Sequence, residues 1–230
     1  MTTRRLSLTF DNGPTPGVTA DVLDLLAERQ VAATFFVVGQ RLDVPAGRRL
    51  AERAVAEGHW VGNHGLTHTV PLGELDAAAG RREIDETQRR LAGLEHPDRL
   101  FRPFATGGAV DERLLSPSAV DQLVEGRYTC VLWNSIPHDW DEPDRWVDRA
   151  LADVDTHEHT VVVVHDVDTG AMGHLPTFLD RLAAAGVEIV QPFADDCVPI
   201  RRGVKTGAFP TFPSFPFHAS SASADDVRQA

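Results

Sequence analysis

Seven short apolar runs alternate along this chain with six stretches of helical periodicity, and no other feature limits its fold so tightly. The strand-like runs fall at 6–10, 33–38, 59–62, 100–102, 129–133, 160–165 and 187–191. Between them, helical patterns occupy about 17–29, 45–57, 73–92, 116–126, 142–155 and 173–185. Local signals agree: Pro45 opens one helix, Pro143 and Pro176 sit in first turns, and Gly58 and Gly186 follow helix ends. Strands that alternate with helices pair in parallel through right-handed crossovers. About seven such units predict an α/β fold closed, or nearly closed, into a β/α barrel, with an open doubly wound sheet as the alternative.

Composition removes several classes of function. The 230 residues carry 22 basic and 34 acidic side chains, a net charge of −12, which disfavours nucleic acid and anionic membranes as partners. No apolar stretch is long enough to span a bilayer, and Arg4 and Arg5 lead straight into the first strand with no apolar leader. A cytoplasmic protein is therefore expected. Cys130 and Cys197 are too far apart in sequence to suggest a disulfide framework or a zinc–thiolate site, and are expected buried and reduced. The chain divides into a barrel over 1–202 and a tail over 203–230. In the tail, Phe209-Pro210, Phe212-Pro213 and Phe215-Pro216-Phe217 predict an extended strap or partner motif, followed by a polar, disordered end. Oligomeric state is not legible.

Polar clusters follow five of the strands. The first strand ends in Asp11-Asn12 and a Gly13-Pro14 turn, which holds a carboxylate at the carboxyl end of a strand, where α/β folds build active sites. The third ends in Gly62-Asn63-His64-Gly65-Leu66-Thr67-His68, whose histidines can meet one metal if the turn between them is helical. Arg102, in Phe101-Arg102-Pro103-Phe104, can pair with a rim carboxylate and keep it ionised. The fifth strand leads into Trp133 through Asp139 to Trp140, aromatics that can wall a pocket around a buried acid. The sixth, a continuous β-branched run, delivers His165 to the rim, where Asp139 is its natural tuning partner.

In order and spacing these clusters resemble the polysaccharide deacetylase family, carbohydrate esterase family four, over about residues 6–191. The resemblance implies a distorted (β/α)7 barrel of the NodB-homology type. It also implies hydrolysis of a carbon–nitrogen bond, the deacetylation of an N-acetylated sugar or a related small amide. By the same resemblance Asp11 is the general base, His165 the general acid, Arg102 orients Asp11, and Asp139 tunes His165. Trp140 and Val163, with Trp133 and Phe104, line the substrate pocket. His64, His68 and Asn12 hold a divalent metal, zinc by preference. Three departures stand out. Asn12 replaces the usual metal-binding aspartate, Phe104-Ala105-Thr106-Gly107-Gly108 replaces the usual sequence after the arginine motif, and Val163 replaces a leucine. Two alternatives follow: a metal-independent amidase acting on a small non-sugar amide, or a non-catalytic barrel that binds carbohydrate or a protein partner.

Overall fold

The computed structural model describes residues 3–209. Five strands, β1 (Arg5–Asp11), β2 (Thr34–Val37), β3 (Trp60–Asn63), β4 (Leu100–Phe101) and β5 (Thr129–Cys130), form a parallel run, and β6 (His159–His165) pairs with the other side of β1. A short β7 (Glu188–Ile189) joins β1 beside Arg5 and Leu6. The helices α1 (Val18–Arg29), α2 (Pro45–Ala56), α3 (Ala77–Arg90), α4 (Pro117–Glu125), α5 (Trp146–Thr156) and α6 (Leu175–Ala184) lie between them in the expected order.

β1 shows how sequence dictates the layers. Its residues alternate: Leu6, Leu8 and Phe10 pack outward against Val22, Leu23 and Leu26 of α1 and Leu175, Phe178 and Leu182 of α6. Ser7, Thr9 and Asp11 are also buried but point the other way, into the barrel. Inside, Phe36, Leu100 and Val131 form a smaller cluster. Phe193 seals it from below, its ring centroid 6.3 Å from that of Phe36 and 5.8 Å from that of Trp60.

The sheet curls until its ends meet. After Val131, whose N–H still donates to the Phe101 carbonyl at 2.9 Å, the chain leaves β4 and crosses the seam, so β5 is shorter than the 129–133 expected. Leu132 N–H donates to the Cys197 carbonyl at 2.7 Å, and Ser135 bridges Val162 of β6, where Val163 N–H donates to the Ser135 carbonyl at 3.0 Å. This crossing favours the distorted barrel over an open doubly wound sheet. β4 stops at Phe101, which leaves Arg102 just beyond the strand rather than within it. α3 and α5 start at Ala77 and Trp146, a few residues later than periodicity alone suggests. For α3 the cause is Asp76, whose carboxylate accepts from Ala79 N–H at 2.8 Å and fixes the N-terminus.

An antiparallel hairpin, β8 (Ile200–Arg201) and β9 (Val204–Lys205), extends the sheet beyond β5. Its turn uses Arg202 and Gly203 at positive φ, 50° and 81°. A Cβ on Gly203 would also lie 2.5 Å from the Val124 carbonyl oxygen, so only glycine fits. The division expected at 202/203 falls in this turn, and the chain stays with the fold as far as Phe209, buried beside Tyr128 and Ile200. The tail expectations for residues beyond Phe209 lie outside the described residues. Cys130 and Cys197 are buried free thiols. Among the described residues no helix is long and apolar enough to cross a membrane.

Candidate active site

Asp11 and His165 are register partners on adjacent parallel strands, so they emerge side by side at the carboxyl rim. Arg102 reaches Asp11 from behind. It is fully buried, stacks its guanidinium 4.1 Å from the Phe36 ring centroid, and divides its N–H donors among four acceptors. These are Asp11 Oδ1 at 2.9 Å, Thr9 Oγ1 at 2.6 Å, and the Val131 and Leu132 carbonyls at 3.2 Å each. Burial alone drives the Asp11 carboxyl up. The charges of Arg102, His64 and His165, with the Arg102 hydrogen bond, outweigh that effect and hold it below its ordinary 3.8.

His165 is held as firmly from the other side. Asp139, with no exposed surface, accepts from the His165 backbone N–H and from its Nδ1, both at 2.8 Å. Nδ1 therefore carries a proton, and Nε2 is left to face the cavity. Burial pushes the imidazole down, but the Asp139 hydrogen bond and charge, aided by Asp11 and Asp166, raise it above 6.5. Trp140 stands edge-on to the ring at 5.0 Å. The environments thus push the two groups apart, toward an ionised carboxylate and a protonated imidazole.

The turn from His64 to His68 is not the helical one anticipated. It runs as a chain of bends with Gly65 and His68 at positive φ, 77° and 55°, yet the two imidazoles still meet at 4.9 Å between centroids. Glu83 of α3 makes this possible. Its carboxylate accepts Leu66 N–H at 2.7 Å, Thr67 N–H at 2.9 Å and the Thr67 hydroxyl at 2.9 Å, and so clamps the turn that helical hydrogen bonds would otherwise have ordered. His64 Nδ1 donates to the Arg102 carbonyl at 2.9 Å, leaving Nε2 as a bare lone pair. Burial lowers both histidines, and His68, pressed further by His64, falls to about 3, so both are neutral donors.

These residues can hold a cation. His64 Nε2 faces Asp11 Oδ2 at 3.5 Å, two electron pairs that repel unless a proton or cation stands near them. Asn12 Oδ1 is buried with no hydrogen-bond partner. Among the described residues no three His, Cys, Asp or Glu side chains gather into a metal-holding group, so the Asn12 amide oxygen would have to complete the set. Such a shell is neutral, and it fits a divalent ion less tightly than one with an anionic third donor.

Asp11, Asn12, His64, His68 and His165 form the polar end of one cavity of about 170 Å³, and Phe104, Trp133, Trp140 and Val163 belong to its apolar wall. Arg102 and Asp139 lie behind this lining. Sequence reasoning missed Glu83, one charge among many on α3, and Ile136, which lines the wall, while Gly107 and Gly108, noted only as part of the departure after Arg102, line it too. Glu83 had no signal to mark it, whereas the Gly107-Gly108 pair is visible punctuation.

A curled α/β barrel with a carboxylate and a carboxylate-backed histidine side by side on its rim has the architecture of a hydrolase. The chain belongs to the polysaccharide deacetylase family, whose model matches residues 1–119. It is 37% identical over 166 residues to a chitooligosaccharide deacetylase of Rhizobium leguminosarum bv. trifolii, covering 71% of this chain and 72% of that one. A chitooligosaccharide deacetylase of Sinorhizobium fredii is 39% identical over 168 residues, 69% of this chain and 70% of that one. Among solved structures, a family 4 acetyl xylan esterase from Clostridium thermocellum with a bound cobalt ion superposes with a TM-score of 0.66, at 27% identity. It covers 81% of this chain and 87% of that one.

Proposed function

We propose that this protein removes the acetyl group from an N-acetylated amino sugar, with Asp11 as general base and His165 as general acid. The observation that carries the reading is the pair itself. One cavity presents a carboxylate held ionised by Arg102 beside an imidazole held protonated by Asp139. Asp11 accepts the proton of the water that attacks the amide carbonyl. The first backbone N–H after Pro103, that of Phe104, is the proposed donor to the oxyanion. As the carbon–nitrogen bond breaks, His165 Nε2 delivers its proton to the departing nitrogen, leaving a free amine and acetic acid, which ionises to acetate in solvent. Asp11 and His165 then exchange protons with solvent to reset. Trp133, Trp140, Val163 and Phe104 shelter the acetyl methyl from water.

His64, His68 and Asn12 would hold a divalent cation, zinc being best suited to two imidazoles, and once bound it would polarise the carbonyl and acidify the attacking water. The test is acetate release from N-acetylglucosamine by metal-loaded protein, abolished by chelation and by Asp11→Ala or His165→Ala. Activity that survives all three treatments overturns the reading.

The neutral Asn12 favours a second reading, in which the same acid–base pair cleaves a small amide without metal. Elemental analysis separates the two, because stoichiometric zinc retained by wild type and lost in His64→Ala excludes the metal-independent version.

A further inference from the structure

We propose that Asp166, a buried carboxyl that no step of the reaction uses, is a positioning residue: it locks the turn that carries Asn12 and so aims the Asn12 amide oxygen into the catalytic cavity. The inference rests on the deacetylase reading with its bound cation, and adds the residue that presets one donor of the ligand set.

Asp166 follows His165 directly, yet it is only 1% exposed and lines no part of the cavity. Its carboxyl is wedged instead into the turn that joins β1 to α1. Oδ2 accepts from the hydroxyl of Thr19 in the first turn of α1, and Thr19 Oγ1 in turn accepts Thr15 N–H at 2.7 Å. The same carboxyl presses on Gly13. An ideal Cβ on Gly13 would stand 2.1 Å from Asp166 Oδ2, 2.3 Å from Oδ1 and 2.4 Å from Cγ. Asp166 thus fills the space that any side chain at position 13 would need, and it grips the turn at both ends.

Asn12 sits between this wedge and Asp11. Its φ is 75°, in the left-handed region that asparagine tolerates but does not prefer. The amide oxygen does nothing to hold it there, because Oδ1 is buried without a hydrogen-bond partner. The restraint comes from the next residue. The Gly13 carbonyl accepts Val38 N–H at 3.1 Å, and the Gly13 α-carbon is blocked by the Asp166 carboxyl, so the peptide after Asn12 cannot swing. Folding alone gives a poor account of an acid at this point. Burial pushes its carboxyl up to about 7 against the opposing pull of the Thr19 hydroxyl, and Asp166 Oδ1 has no hydrogen-bond partner of its own. A group that is costly to bury and reaches only this turn serves to hold the turn.

The experiment measures zinc affinity by calorimetric titration, and the visible spectrum of the cobalt-loaded protein, in wild type, Asp166→Ala, Asp166→Asn, Thr19→Val, Asn12→Ala and the Asn12→Ala/Asp166→Ala double variant. Asp166→Ala empties the wedge and is expected to weaken zinc by about 10–100-fold, the usual effect of losing a partner that orients metal ligands, and to alter the cobalt spectrum. Asp166→Asn keeps the shape and the acceptor for Thr19, so it is expected to restore most of that affinity. Thr19→Val removes the anchor of the carboxyl at constant volume and is expected to cause a smaller loss, which keeps the test open if Asp166→Ala does not fold. In the Asn12→Ala background Asp166→Ala is expected to add nothing, because Asp166 acts through Asn12. A lowered melting temperature with zinc affinity unchanged in Asp166→Ala and Thr19→Val, the result of a purely structural role, overturns the inference. So does an undiminished loss in the Asn12→Ala background. Both leave the deacetylase reading standing, since acetate release by metal-loaded wild type tests it separately. Wild type that binds no zinc overturns the inference and the metal-dependent reading together.

Discussion

Arg102 links more of the site than any other side chain. It neutralises Asp11, anchors Thr9, and ties the seam-crossing strand to the barrel interior through two carbonyls. Arg102→Met leaves the Asp11 charge buried without a partner, a change that costs about 3–5 kcal/mol in comparable sites. The melting temperature should therefore fall by roughly 10 °C in a chain this size, read by calorimetry. A second outcome concerns pH. Because His165 titrates above 6.5, its ion pair with Asp139 stabilises the fold fully below that value and is lost as pH rises through the raised pKa. Asp11 works the other way: its contribution is present above 3.8 and lost as pH falls through its lowered pKa. The alkaline limb of kcat/KM should follow His165 and move to lower pH in Asp139→Asn; a limb that stays in place excludes His165 as the acid. Asn12→Asp supplies the missing anionic donor and should tighten zinc binding by about tenfold or more, measured by calorimetric titration. Asp11, Asn12, Arg102 and His165 were legible because each ends or directly follows a strand, where sequence order and rim position coincide, and Asp139 because it lies in the aromatic loop after β5. Glu83 was not, since its value lies in which backbone it reaches, and nothing in Arg82-Glu83-Ile84 separates it from a solvated helix face.

At the scale of elements, α3 does more than cover the sheet. Its Glu83 replaces the helical hydrogen bonds that the His64–His68 turn lacks. Glu83→Ala strands two amide donors and frees the turn, so zinc affinity should drop by about 10–100-fold, the usual effect of losing a partner that orients metal ligands. Glu83→Gln keeps one acceptor and should recover part of it; full affinity in both variants would show that the clamp is dispensable. The helices and β1 were readable from periodicity because each has one apolar face, and β6 from a continuous β-branched run buried on both faces. The hairpin of β8 and β9 was not, since two-residue strands leave no period to detect and only Gly203 marks the turn.

For the molecule as a whole, closure depends on pieces distant in sequence. The seam is stitched by Leu132 to Cys197 and by Ser135 to Val162, and the chain then runs on to bury Phe209 against the α4 side. Phe209→Ala should destabilise the fold by about 3 kcal/mol or more, seen as a lower denaturant midpoint with unchanged cleavage chemistry. Barrel closure was foreseeable from the count of β/α units, but the route taken by the seam was not, because it depends on where β5 abandons its neighbour.

The register that sets Asp11 beside His165 also divides the labour of change. Spacing between the two proton-handling groups is fixed by sheet hydrogen bonding, as rigidly as two teeth on one comb. Gly107, Gly108 and Ile136, by contrast, sit on loops that the sheet does not hold in register. Those loops can be lengthened, shortened or exchanged to retarget the enzyme while the acid and the base keep their distance, which makes the barrel a ready chassis for engineering new acyl specificities.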